Sequence, residues 1–236
     1  SDQAIRKAVE EQNKISKLIT EIGDFRKEER PRITGYEFAV LTLATYCCPK
    51  DKLITKLEET LEEIKNRVPE EKGTYRCRVA MVGSEIDDPQ LIKLAEECGL
   101  IVVADRYCFG SLPGRQVIEL NEKEDALTQV CSYYMHSGQC PRFLTTEKVN
   151  ERHAYIDKIG KAYHVDGLII EQIKFCDYWG YGRAFMNAVM QNQYGYKTLS
   201  IDRPYNVGQS GQLRTRIQAF IEALEIKKIQ EEKEAK

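Results

Sequence analysis

In the first quarter of the chain, apolar residues recur at helical intervals. Between residues 1 and 28, Ala4, Ile5, Ala8, Ile15, Leu18, Ile19 and Ile22 stand among many charges, which predicts an amphipathic helix. Pro31 stops it, because proline has no N–H to donate inside a helix. A second helix is expected over Gly35–Tyr46 and a third over Lys50–Arg67. In the third, Leu53, Ile54, Leu57, Leu61 and Ile64 form a continuous apolar stripe. Pro69 and Gly73 then punctuate the chain, so residues 1–72 read as an all-helical unit.

Beyond Gly73 the pattern changes to short apolar runs separated by helices. RVAMVGSE (78–85) is the first run, followed by a helix that Asp88 can cap, with Pro89 at its first position and Gly99 just past its end. GLIVVADR (99–106) is the second run. A helical pattern follows from Lys123 to His136, then CPRFL (140–144), readable as a short strand or a loop. A charged helix precedes the third run, VDGLIIEQ (165–172). A helix over Tyr181–Tyr194 leads to YKTLSID (196–202), and a closing helix runs from Gln212 to about Ile229, with the tail QEEKEAK expected to fray.

Apolar strands alternating with helices indicate a parallel sheet covered on both faces. Residues 73–236 therefore read as an α/β unit, a small flavodoxin-like parallel sheet of four or five strands preceded by the helical segment. Ligands of such folds sit beyond the carboxyl ends of the strands. Here those loops are Gly83–Glu85, Asp105–Gly114, Gln172–Gly182 and Asp202–Gln212.

Charge and composition remove several classes of function. The 236 residues carry 35 Lys and Arg against 37 Asp and Glu, which offers no electrostatic attraction to nucleic acid. No apolar run approaches the ~18 residues of a membrane span, and the charged start SDQAIRKAVEEQNK is unlike a signal peptide, so a cytoplasmic protein is expected. Neither GxSxG nor HExxH occurs, which leaves serine hydrolases and zincins without support. His136, His153 and His164 lie far apart and read as surface or helix-end residues.

Cysteine is the unusual component: Cys47, Cys48, Cys77, Cys98, Cys108, Cys131, Cys140 and Cys176, with no CxxC pair among them. Cys77 and Cys98 read as structural; Cys47 and Cys48 end a helix, as ligands or as packing; Cys131 and Cys140 stay open. Cys108 sits in DRYCFGSLPGR (105–115), either an anion-binding turn with Gly110, Gly114 and Arg115 or a turn with a structural thiol. EQIKFCDYWGYG (171–182) places Cys176 at the edge of the sheet among Phe175, Tyr178, Trp179 and Tyr181, with Gly180 and Gly182 as flexible points. Its thiolate could serve a soft metal or an iron–sulfur cluster, and the alternative is a buried core cysteine. In DRPYNVGQSGQLRTR (202–216), Ser210 can cap the last helix, while Gly208 and Gly211 clear space for an anion near Arg214 and Arg216.

Taken in order, VGSEIDDPQLIKLAEECGLIVVADRYCFGS, CPR, VDGLIIEQIKFCDYWGYG and SGQLRTRIQAFIEAL resemble the 2-hydroxyacyl-CoA dehydratase and benzoyl-CoA reductase family, from about Ile15 to Ile229. That resemblance implies a cytoplasmic, oxygen-sensitive enzyme component carrying a [4Fe-4S] cluster, with a related second subunit and an ATP-dependent iron–sulfur activator protein as partners. It implies a lyase that eliminates water from an (R)-2-hydroxyacyl-CoA through a ketyl radical, or alternatively an ATP-dependent ring reductase. Cys176 matches the cluster ligand of the family's carboxyl-terminal domain, and Gln172, Lys174, Ser210, Gln212 and Arg214 become the candidates for contact with the acyl-CoA. Family subunits are longer, and their amino-terminal domain supplies further cysteine ligands. The chain accordingly resembles the linker and carboxyl-terminal domain, expected to be inactive alone, and a non-catalytic module is the third expectation.

Overall fold

The computed structural model describes residues 1–69, 75–113, 115–205 and 210–234. Three helices come first: α1 (Asp2–Asp24), α2 (Gly35–Cys47) and α3 (Lys50–Asn66). A short 3-10 turn, Phe25–Lys27, closes α1 before Pro31. Thr34 and Glu37 form a reciprocal capping box that starts α2 where the chain turns back. The apolar stripe of α3 does what its spacing requires: Leu53, Leu57, Leu61 and Ile64 pack with Ile15, Ile19, Ile22 and Phe38 in one buried cluster.

The remainder alternates strand and helix: β1 (Cys77–Gly83), α4 (Gln90–Glu97), β2 (Leu100–Arg106), α5 (Ala126–Ser137), α6 (Thr146–Ala162), β3 (Gly167–Ile173), α7 (Asp177–Asn192), β4 (Lys197–Arg203) and α8 (Ser210–Glu234). The four strands form one parallel sheet in the order β2-β1-β3-β4. β1 and β2 are buried along their whole length, which is why they read as unbroken apolar runs. One face of the sheet packs through Val79, Met81, Val102 and Ile169 against α4 and α8. The other packs through Ala80, Val82, Leu168 and Ile170 against Ile156 of α6 and Trp179, Met186 and Met190 of α7. Gly167 permits the close approach of α8, since a Cβ there would lie 2.7 Å from Leu224 Cδ2 and 2.9 Å from Phe220 Cζ.

The chain leaves β1 toward α4 on one face and leaves β3 toward α7 on the other. β1 and β3 are nevertheless neighbours, so a crevice is expected between their carboxyl ends. The helical segment is joined to this unit by buried charge. Asp105, at the end of β2, accepts from Arg26 (3.1 Å), from Arg115 (3.0 Å) and from the backbone N–H of Ser111 (2.8 Å). Arg26 also lies 3.6 Å above the Phe38 ring, and its carbonyl accepts from Arg78 of β1 at 2.6 Å.

Several expectations change. CPRFL is neither strand nor open loop but a 3-10 turn over Pro141–Phe143, because Pro141 presets its first residue. The helix after β3 begins at Asp177 rather than Tyr181, so Gly180 and Gly182 are helical and not flexible points. The last helix continues to Glu234 where fraying was expected. His153 is not a surface residue: it is buried on α6, and burial pushes its pKa down to about 4. Among the described residues no helix is long and apolar enough to cross a membrane.

Burial alone would raise the pKa of Asp105, but Arg115 and Arg26 outweigh it and hold the carboxyl down at about 2. The folded-state pKa lies below the unfolded value of ~3.9, so this stabilisation is present above pH ~4 and lost toward pH 2. Asp105→Asn should cost about 3–5 kcal/mol at neutral pH by stranding two buried guanidiniums. Urea unfolding of both proteins at neutral and acid pH checks this; a variant within ~1 kcal/mol of wild type at neutral pH would refute the linkage.

Candidate functional site

β3 ends at Ile173, and three residues later Cys176 caps α7. The turn is held from both sides. The Cys176 N–H donates to the Ile173 carbonyl (3.2 Å), and the Cys176 carbonyl accepts from Gln172 Nε2 (3.2 Å) and the Gly180 N–H (2.9 Å). Arg183 Nε donates to Gln172 Oε1 at 2.8 Å, and Arg183 also reaches Ser200 Oγ on β4 at 2.5 Å. Between strand and cap, Phe175 takes φ 70°, a left-handed conformation costly for a bulky residue, and its ring is 94% exposed. The turn therefore presents Cys176 at the sheet edge in a fixed geometry.

Three thiols border the apolar cluster beneath this edge: Cys108, Cys140 and Cys176. Trp179, in the first turn of α7, fills the space below and is 1% exposed. Its indole Nε1 makes no hydrogen bond of ordinary geometry. Burial pushes the Cys108 thiol up to about 12, the neighbouring Cys140 and Cys176 add to the rise, and the Trp179 N–H opposes it. Cys108 is therefore a neutral thiol at physiological pH in this state. The Arg152 guanidinium lies 5.1 Å from the centre of the Trp179 ring, itself 1% exposed and with no partner for Nε. Burial lowers its pKa to about 10, partly offset by Cys140.

The inner wall of the crevice is polar. Glu171 is completely buried on β3, with Ser84 Oγ donating to Oε2 at 2.8 Å and Arg203 Nε 2.8 Å from Oε1. The Arg203 Nε–H is not aligned with that oxygen, so this contact is coulombic more than hydrogen-bonded. Arg203 is fixed by the carbonyls of Glu85 (2.7 Å), Pro204 (3.2 Å) and Tyr205 (3.0 Å). Ser84 Oγ in turn accepts from the Ile173 N–H at 2.6 Å. Gly83 makes the approach possible: with φ 147°, a Cβ there would sit 2.0 Å from the Glu171 carbonyl oxygen. Together these groups tie the ends of β1, β3 and β4 into one rim.

The structure distributes the sequence-selected residues unevenly. Cys176 and Gln172 lie together, with Gln172 bonded to the Cys176 turn rather than open to a ligand. Lys174 is exposed on the same turn. Gln212 is exposed on α8, and Arg214 pairs with Glu97 of α4 at 2.5 Å. Gly114, Gly208 and the side chain of Ser210 fall outside the described residues, so the helix-cap reading does too. Cys47, Cys48 and Cys131 are exposed, and Cys77 and Cys98 are buried. Sequence reasoning did not single out Glu171, Arg203 or Arg152, and left Cys140 open. The Glu inside the apolar run of β3 was the available signal, because a carboxylate there must find a partner.

Among the described residues, no group of three or more His, Cys, Asp or Glu side chains is arranged to hold a metal ion. Cys176 can offer one thiolate, but the described residues do not complete the ligand set of an iron–sulfur cluster.

An open parallel sheet with its crevice at the β1/β3 crossover places the chain among doubly wound α/β proteins. Residues 1–224 match the model of the 2-hydroxyglutaryl-CoA dehydratase, D-component family, and the chain belongs to that family. It is also similar to YjiM of Escherichia coli (strain K12), a protein named as a dehydratase subunit, with 23% identity over 229 residues. That match covers 95% of this chain and 58% of YjiM, so the chain spans little more than half the length of this curated relative.

Burial raises the Glu171 pKa to about 7, outweighing the opposing effects of Arg203 and Ser84. Its folded-state pKa exceeds the unfolded value of ~4.3, so the folded protein loses stability as pH rises from ~4 through 7. Glu171→Gln, which keeps an acceptor for Ser84, should flatten that part of the stability–pH curve. Denaturation midpoints measured across this range test it, and an unchanged slope would assign the ionisation elsewhere.

Proposed function

We propose that the chain is a component of a 2-hydroxyacyl-CoA dehydratase, a lyase acting on acyl-CoA thioesters. The observation that carries the reading is the family match over residues 1–224. The rigid presentation of Cys176 at the carboxyl edge of β3 supports it. In this reading Cys176 is one ligand of a [4Fe-4S] cluster, and the other ligands come from outside the described residues, on this polypeptide or a related second subunit. Such a cluster, when bound, would supply low-potential electron transfer and a Lewis-acidic iron.

The chain's own residues have positioning roles. Gln172 and Arg183 hold the Cys176 turn, and Trp179 excludes water beneath it. The substrate chemistry we assign is loss of the C2 hydroxyl and a C3 proton as water, leaving an enoyl-CoA. An ATP-dependent activator protein would supply the single electron that converts the thioester carbonyl to a ketyl, and that electron is recovered at the end. Residues 1–72 then serve as a helical linker and 73–236 as the substrate-facing domain. The location is the cytoplasm, where an oxygen-sensitive site is kept reduced.

Among the described residues no group completes a metal site, and this supports a second reading, a non-catalytic module that keeps the fold without a working site. Iron and acid-labile sulfide, measured after anaerobic purification with the second subunit, separate the two. The dehydratase reading expects bound iron that Cys176→Ala loses, together with enoyl-CoA formation from a 2-hydroxyacyl-CoA. Iron retained in full by Cys176→Ala would remove Cys176 from the ligand set. Absence of iron from both assemblies would establish the module, and ring reduction in place of dehydration would assign the reductase branch.

A further inference from the structure

Beside the thiol-bordered crevice lies an excess of buried positive charge that the dehydratase reading does not use. Arg106, the last residue of β2, is 4% exposed, yet its partners are all neutral. Its Nε and Nη2 fork onto Gln139 Oε1 at 3.1 and 2.7 Å, its Nη1 donates to the Ser111 carbonyl, and its guanidinium stacks 4.3 Å from the Tyr155 ring. Both N–H groups converge on one neutral amide oxygen, and the nearby Asp105 carboxylate is bonded to Arg26 and Arg115 rather than to Arg106. Arg115 shares the single carboxylate of Asp105 with Arg26. Arg152 stands on the other side of Gln139, donating to its carbonyl at 3.4 Å. Around this end of β2, Arg26, Arg106 and Arg115 thus lie near the one buried carboxylate of Asp105, with Arg152 beyond Gln139, and desolvated positive charge of this kind favours an anionic partner.

Arg106 and Arg115 both line a cavity of about 190 Å³ between the end of β2, the end of α5 and α6. Ser137 reaches the same cavity, and its buried Oγ has no hydrogen-bond partner. Glu151 also lines it, but is exposed and paired with Lys148 at 2.9 Å. We propose that this cavity is an anion subsite, taking the carboxylate or phosphate group of a larger ligand between Arg106 and Arg115, with Ser137 Oγ as an additional donor. Burial lowers the pKa of Arg106 and the Arg115 charge adds to the fall, while Tyr155 and Asp105 oppose it. Whole-ligand pockets run to roughly 300–1,000 Å³, so this volume suits one charged end of a molecule. Gln139 immediately precedes Cys140, so the rest of that molecule would lie toward the crevice.

The charge imbalance carries the subsite by itself; only the naming of its occupant as part of an acyl-CoA rests on the dehydratase reading. An acyl-CoA offers both sources, phosphates on the coenzyme and, in a dicarboxylic acyl group, a terminal carboxylate. Calorimetric titration of the full chain with inorganic phosphate, coenzyme A and glutarate, at constant ionic strength in chloride, tests the proposal. We expect saturable binding of at least one probe, weakened about tenfold or more by Arg106→Gln. Gln139→Glu should also abolish binding, because its carboxylate occupies the guanidinium fork, while raising the melting temperature of the unliganded protein. Phosphate and coenzyme A binding without glutarate assigns the phosphate source; glutarate binding without phosphate assigns the carboxylate. Binding of no probe, wild-type affinity in Gln139→Glu, or a Gln139→Glu protein that melts below wild type would overturn the subsite. Iron content and enoyl-CoA formation report separately on the dehydratase reading, so either can fail alone.

Discussion

The carboxylate of Asp105 is the constraint on which the arrangement of this molecule depends. It sits at the carboxyl end of β2 and is shared by Arg26, at the end of the first helix, and Arg115, in the loop beyond the strand. One buried charge therefore joins the helical segment, the sheet and a crevice loop. Exposed ion pairs such as Lys56–Glu59 are screened by water and contribute little. The Asp105 pairs are desolvated, so losing one partner would strand charge in a medium that cannot solvate it. Arg26 also stacks on Phe38, which couples the same contact to the packing of α1 on α2 and α3.

The sheet order then determines where chemistry can occur. Because β1 and β3 are neighbours with oppositely directed crossovers, their carboxyl ends are where a fold of this kind is expected to leave room for a ligand. Glu171, Ser84 and Arg203 form its rigid inner rim, while Cys176, Cys140 and Cys108 border the apolar floor above Trp179. The polar rim and the thiol-bordered floor meet at the start of α7, where Gln172 links them. Backbone hydrogen bonds hold Cys176 in place just beyond the end of a central strand. Arg106 and Arg115 flank Cys108 in the chain, and Gln139, the partner of Arg106, adjoins Cys140, so buried arginines and thiols come together at this edge.

The residues that match the dehydratase family, 1–224, take in the helical segment, the whole sheet and the first part of α8. Among the described residues, Cys176 and the neighbouring Cys108 and Cys140 form no group arranged to hold a metal ion.

How much of this was readable from residues alone follows from which interactions are local. Strand and helix order was legible because an apolar run buried on both faces and a stripe of period 3.6 are properties of neighbouring residues. The parallel α/β class followed from that alternation, and so did the place of Cys176 just beyond the third strand. Chemistry that depends on residues far apart was not legible. Nothing in the sequence around Glu171 identifies Arg203 as its neighbour, and nothing near Arg106 shows that its fork meets an amide. His153 reads as a surface residue on a charged helix until α7 covers it. Cys140 looks like one of several unassigned cysteines until the 3-10 turn sets it beside Trp179. Apolar burial needs only a pattern, which the chain writes locally. Compensation of buried charge needs a particular partner at a particular distance, and packing alone supplies it.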